Sequence, residues 1–306
     1  MVPIVLAILP VFLLIFLGYG IRARRLLADG FWEPAERLIY YVLFPALLVA
    51  TLAGAKLNDL GIAPMAGALV AAIVGAAVVL LILRPMLRLP GPAFTSLFQG
   101  VVRQNTYIGL AVALAVFGDQ GLAAAAVAVA VIVPLVNLLS VTVLARFGAN
   151  GHSSWIGAVR QILRNPLIIA CAIGIALNLT GIGLPPVIGP LLQILGSAAL
   201  PLGLIAVGAG LDLTAARGAG PSVILAVGLR LVALPALTAL ACQALGVSPV
   251  ATFVAVLFNG TPASTSSYIL ARLLGGDARL MAGIITVQTA LSLLTLPLVL
   301  TFGLLP

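Results

Sequence analysis

FQGVVRQNTYIGL, running from Phe98 to Leu110, sets Arg103, Gln104, Asn105 and Thr106 side by side. They fall at the midpoint of an apolar segment that begins after Pro92 and ends near Phe117. Hydrophobic residues make up 63% of the 306 and charged residues only 7%. Mean hydropathy is +1.29. A soluble globular domain carries about 25% charged residues, so this chain has more apolar sequence than a soluble interior could hide. Its class is an all-α polytopic membrane protein. In that setting Arg103 costs about 2.5–3.5 kcal/mol at a helix centre on insertion scales. Side chains this polar, this deep, have to face protein or a water-filled cavity.

Around that stretch the sequence divides into ten apolar segments, at about 3–21, 36–54, 64–83, 93–117, 121–144, 165–180, 186–210, 221–244, 249–272 and 278–303. A spanning helix needs about 20 such residues; the sixth is short. The first has no basic side chain ahead of it, while Arg22, Arg24 and Arg25 follow. A cleavable signal has the reverse order, so this segment is expected to stay as a helix. Arg22, Arg24, Arg25, Arg37, Arg84, Arg88, Arg146, Arg160, Arg164, Arg217, Arg272 and Arg279 follow odd-numbered segments; on the other side stands only Lys56. That asymmetry predicts both termini on the non-cytoplasmic side.

The net charge of +8 is scattered between apolar segments with no basic block. It fits membrane orientation and gives no nucleic-acid surface. Cys171 and Cys242 lie inside apolar segments and read as packing residues. His152 stands in a polar connection with no partner ligand nearby, so no metal site is expected. The spans hold no Ser-His pair and the chain no phosphate-binding Gly-Lys loop, so neither an enzyme nor an ATP-driven machine is expected.

The connection 149–164 separates a first group of five segments, 1–148, from a second, 165–306. Five is odd, so a second copy would enter the membrane from the opposite face as an inverted repeat. The halves echo each other. LFPALLVATLAG (Leu43–Gly54) matches ALPLGLIAVGAG (Ala199–Gly210), each with a proline, Pro45 or Pro201, nine residues before a glycine. LFQG, ending at Gly100, precedes VVRQNTY; LFNG, with Asn259 and Gly260, precedes TPASTSSY. Gly118-Asp119 and Gly276-Asp277 close the two segments.

Pro262 lacks an N–H and obstructs the preceding turn. Gly100 and Gly260 permit unusual dihedrals. Two discontinuous helices meeting near the bilayer midplane follow as an expectation, because breaks in lipid survive only where other groups satisfy them. Half-helix N-termini favour anions. Arg103 has two roles open to it: countercharge for a substrate carboxylate, or a structural cation on carbonyls freed by the break. Gln104, Asn105 and Thr106 either bind substrate or satisfy the backbone. Arg230 reads as a structural residue placed to snorkel. Pro45 and Pro201 read as matched kinks. No acidic side chain lies clearly at mid-depth, so coupling to Na+ or H+ is neither demanded nor excluded.

VVRQNTYIGLAVALAVFGDQGL, VPLVNLLSV, RNPLIIACAIGIALN and ALPLGLIAVGAGLDL, in this order and spacing, resemble the auxin efflux carrier family in its bacterial branch, over nearly the whole length. That resemblance implies ten helices in two inverted repeats and an elevator motion. Helices one, two, six and seven would form a scaffold; three to five and eight to ten would carry substrate. It implies contacts at Asn105 and its neighbours and at Gly260, Thr261, Pro262 and Ala263. It also implies a small organic anion, such as malonate or an auxin-like acid, and residence in a bacterial inner membrane. The first crossing has no proline to match Pro262, so the two breaks need not be equally unwound. Two rivals stand: a sodium-coupled symporter of bile acid type, and a receptor that binds without transporting. Faces of small residues would suit a homodimer or internal packing equally.

Overall fold

The computed structural model describes residues 2–55, 61–149, 160, 163–218 and 220–302. Among the described residues, seven helices are long and apolar enough to cross a membrane: Pro3–Ala23, Asp29–Gly54, Ile62–Leu87, Thr106–Phe147, Ile188–Ala209, Pro221–Ala244 and Ala278–Thr301. Among the described residues there is no strand. The chain is an integral, multi-pass, all-α membrane protein. Large apolar side chains such as Leu6, Leu13, Phe16 and Ile194 stand exposed on the outer faces, as lipid contact requires. Most of the connection 149–164, His152 included, lies outside the described residues, as does Lys56.

Thr106–Phe147 has 42 residues, roughly 63 Å of helix at the standard rise, about twice a hydrocarbon core. It is divided at Gly118, where φ is 56° and ψ −142°, a conformation open to a residue without Cβ. Pro166–Leu179 and Pro249–Gly260 are apolar but shorter than a full span.

Two helices widen into π turns, at Ile39–Leu43 and Leu229–Ala233. Each turn ends two residues before a proline, Pro45 or Pro235. Proline removes an N–H and crowds the carbonyl four residues back, and a wider turn relieves that crowding. Pro201 lies in Ile188–Ala209, which stays helical through it. The two prolines expected to act alike thus differ locally: a π turn stands before Pro45 and none before Pro201. Gly100 is also no break point: the helix Gly91–Val102 continues past it. A Cβ there would come within 2.7 Å of Ile284, so close packing is what needs a glycine.

Between two helices, Asp212 caps the short helix Leu213–Arg217, its Oδ1 accepting from Thr214 N at 2.9 Å and Ala215 N at 3.0 Å. The Thr214 hydroxyl and these N–H groups hold its carboxyl below the usual carboxylate range. A depressed folded-state pKa adds stability above the unfolded value of about 3.9, and loses it as pH falls through the folded value. Asp212→Ala is expected to cost about 0.5–1 kcal/mol at pH 7, at the low end for a cap because solvent screens it. The gap from wild type should narrow in melts below about pH 3.9.

Candidate functional site: the crossing and its cavity

The first rod runs Gly91–Val102, pauses over Arg103–Asn105 and restarts at Thr106. The second runs Pro249–Gly260, pauses from Thr261 and restarts at Ser266. Their extended pauses lie antiparallel, with Gln104 paired to Ala263. Asn105 N donates to Pro262 O at 2.9 Å and Ser264 N to Arg103 O at 3.2 Å. Each break thus satisfies part of the other's backbone where both are buried by the protein. The first break forms without a proline because Asn105 caps the new helix: its Oδ1 accepts from Ile108 N at 3.2 Å.

The remaining freed groups are met by side chains. Gln288 accepts from Ala263 N at 2.8 Å and donates to Gly100 O and Ala226 O, each at 3.0 Å. Arg230 donates through Nε to Thr261 O (2.6 Å), through Nη1 to Val101 O (2.9 Å) and through Nη2 to Phe258 O (3.1 Å). It is fully buried, so the snorkelling expected from its position is replaced by a clamp on both rods. Gln104 donates to Asn259 Oδ1 at 2.7 Å, and Asn259 to Thr238 Oγ1 at 2.8 Å.

Arg103 bonds differently. Nη1 donates to Asn137 Oδ1 at 2.7 Å and Nη2 to Ser266 Oγ at 3.0 Å. Both partners are side chains. Two of the five guanidinium donors are thereby used, and Nε has no partner among the described residues. The guanidinium edges a cavity of about 1100 Å³. Arg103, Gln104, Thr106, Tyr40, Tyr107 and Asn137 line it, with Ser264, Thr265 and Ser266 from the second break. Exposed Arg37, Arg160 and Arg164 line it too, together with Glu33 and Glu36, so its mouth carries charges of both signs. Tyr107 meets Phe44 edge to face at 4.8 Å, giving part of the wall an aromatic character.

Of the residues singled out in the sequence, then, Arg103, Gln104 and Thr106 reach the cavity. Asn105 is only 1% exposed and serves as a cap. Asn259, Gly260, Thr261, Pro262 and Ala263 are buried in the crossing and line no part of the cavity. The second break contributes through the next three residues instead. Asn137, Tyr40 and Asn165 were missed. An asparagine inside VPLVNLLSV was the available signal, since an amide in an apolar span needs a partner. Among the described residues no cluster of His, Cys, Asp or Glu could hold a metal ion.

A family model described as a membrane transport protein matches residues 152–300. No curated protein matches the chain.

Proposed function

We propose, from the premise that residues 152–300 carry the domain of the auxin efflux carrier family, that this membrane transport protein is a secondary carrier of small organic anions. The observation that carries the reading is Arg103, a buried cation held by side chains at the edge of a cavity. Two helices begin beside it, at Thr106 and Ser266, and their N-termini favour negative charge. Asn105 serves Ile108 and Gly109; the other first-turn N–H groups belong to Thr106 and Tyr107, both on the cavity wall. Beside Arg103 and these two N-termini the field favours a carboxylate; Glu33 and Glu36 also line the cavity, on the second helix with Arg37.

In this proposal the chain crosses the bilayer ten times as two inverted repeats, with both termini on the non-cytoplasmic side of a bacterial inner membrane. Division of Thr106–Phe147 at Gly118 and the antiparallel crossing support that count. Tyr40, Asn165 and Val207 come from segments two, six and seven, the proposed scaffold. Arg103, Asn137 and Ser266 come from four, five and nine, the proposed moving group. A cavity on the seam between the two groups suits an elevator motion, with the present state open to the cytoplasm.

Purified protein screened by thermal shift against mono- and dicarboxylates, malonate among them, should give a stabilising ligand through linkage. That ligand, radiolabelled, should then show saturable counterflow in proteoliposomes. Stabilisation without counterflow would mean a receptor and overturn the carrier reading.

A further inference from the structure

Two interrupted rods bring two helix C-termini to one place, at Val102 and Gly260. Each end carries a partial negative charge of about half an electron. In broken-helix carriers, such ends and the unwound carbonyls beside them hold the coupling cation. Here the corresponding oxygens are taken. Val101 O, Phe258 O and Thr261 O all accept from the one guanidinium of Arg230, and Gly100 O accepts from Gln288. All three nitrogens of Arg230 are engaged, its side chain is 0% exposed, and its bonds go to carbonyls of both rods and to the Thr261 hydroxyl. A planar, permanently charged group with fixed donors suits several acceptors at once. Arg230 itself lies in the π turn Leu229–Ala233.

We infer that Arg230 is a tethered counter-cation occupying the place of a coupling metal ion, and that anion movement therefore runs without sodium. A second cation at these carbonyls would meet lone pairs already in use and a like charge a few ångströms away. Gln288 locks the same junction with a neutral side chain, so the fixed positive charge comes from Arg230 alone among the groups that bond these carbonyls. The transport half of the inference rests on the carrier reading above; the cation-site half stands on the geometry of the crossing.

The full chain, purified and reconstituted, tests both. Wild type should melt at the same temperature in sodium chloride and in choline chloride. Counterflow of a radiolabelled carboxylate should proceed at equal rates in the two media. A fall of about fivefold or more in choline, the size of ordinary coupling, overturns the proposal. Absence of counterflow in both media sinks the carrier reading instead, and leaves the cation site to the melts. There, Arg230→Ala should melt lower than wild type and recover when methylguanidinium chloride is added, but not with choline, as binding to the folded state requires. A lowered midpoint that methylguanidinium does not raise overturns the proposal. If Arg230→Ala cannot be recovered folded, Arg230→Lys decides. Lysine keeps the charge but not the fork, so it should melt above the neutral Arg230→Gln; equal midpoints for these two variants overturn the proposal.

Discussion

Arg103→Ala is expected to leave a folded, monodisperse protein that no longer binds small carboxylates. The fold should survive because Arg103 holds no backbone. Its two bonds go to the side chains of Asn137 and Ser266, both on the cavity wall, where water can replace the guanidinium. The affinity should not survive, because the variant leaves a substrate carboxylate facing the site without its countercharge. Removing one partner of a buried, hydrogen-bonded charge pair costs about 2–5 kcal/mol. At 1.4 kcal/mol per decade that is about 30-fold or more in Kd. Titration of the stabilising carboxylate by thermal shift reads the loss directly. Arg103→Lys should fall between, since lysine keeps the charge and loses the bidentate fork. Should Arg103→Ala keep wild-type affinity, Arg103 belongs to the fold and is not the countercharge of the bound carboxylate.

The two arginines show how far composition can be read. Both were visible as charges inside apolar segments, and both needed a partner. Distance along the helix placed Arg230 within reach of the interface and Arg103 beyond it. Distance along the chain does not say which way a side chain faces, and Arg230, within the π turn Leu229–Ala233, faces inward onto the crossing. The breaks themselves were legible, because a run such as RQNT or TPASTSS has no other reason to exist at mid-depth. Which residues of the second break face the cavity was not legible. Asn259 to Ala263 carry the motif, yet the pause is extended and paired with the other rod, so its polar groups are spent there. The cavity is left to Ser264, Thr265 and Ser266. Helix limits showed the same pattern. Apolar runs were placed to within a few residues, but the amphipathic start Asp29–Arg37 of the second helix lay outside an apolar criterion. It is helical all the same, and it supplies Glu33, Glu36 and Arg37 to the cavity.

The second large effect is expected at Gly208. Helices Val2–Ala23 and Ile188–Ala209 touch backbone to backbone through a pair of glycines. A Cβ on Gly208 would lie 1.8 Å from the Ile15 carbonyl oxygen; one on Gly18 would lie 2.0 Å from the Ile205 oxygen. Neither obstacle is a side chain that can rotate away, so the helices themselves would have to part. Forcing one methyl into a packed core typically costs about 1–3 kcal/mol; a clash with main chain belongs at or above the top of that range. Close approach through small residues is the usual means of helix association where lipid removes the hydrophobic drive. At least at Gly18 and Gly208, the small residues that would suit a homodimer are spent inside the chain. Gly208→Ala is therefore expected to lower the melting midpoint sharply and to broaden the size-exclusion peak. Gly20→Ala, in the first of these helices, is the matched control. Nothing lies within 4 Å of its added Cβ, and alanine favours helix over glycine by about 1 kcal/mol, so that variant should melt at or above wild type. Equal midpoints for the two variants would show that these helices do not meet at their glycines.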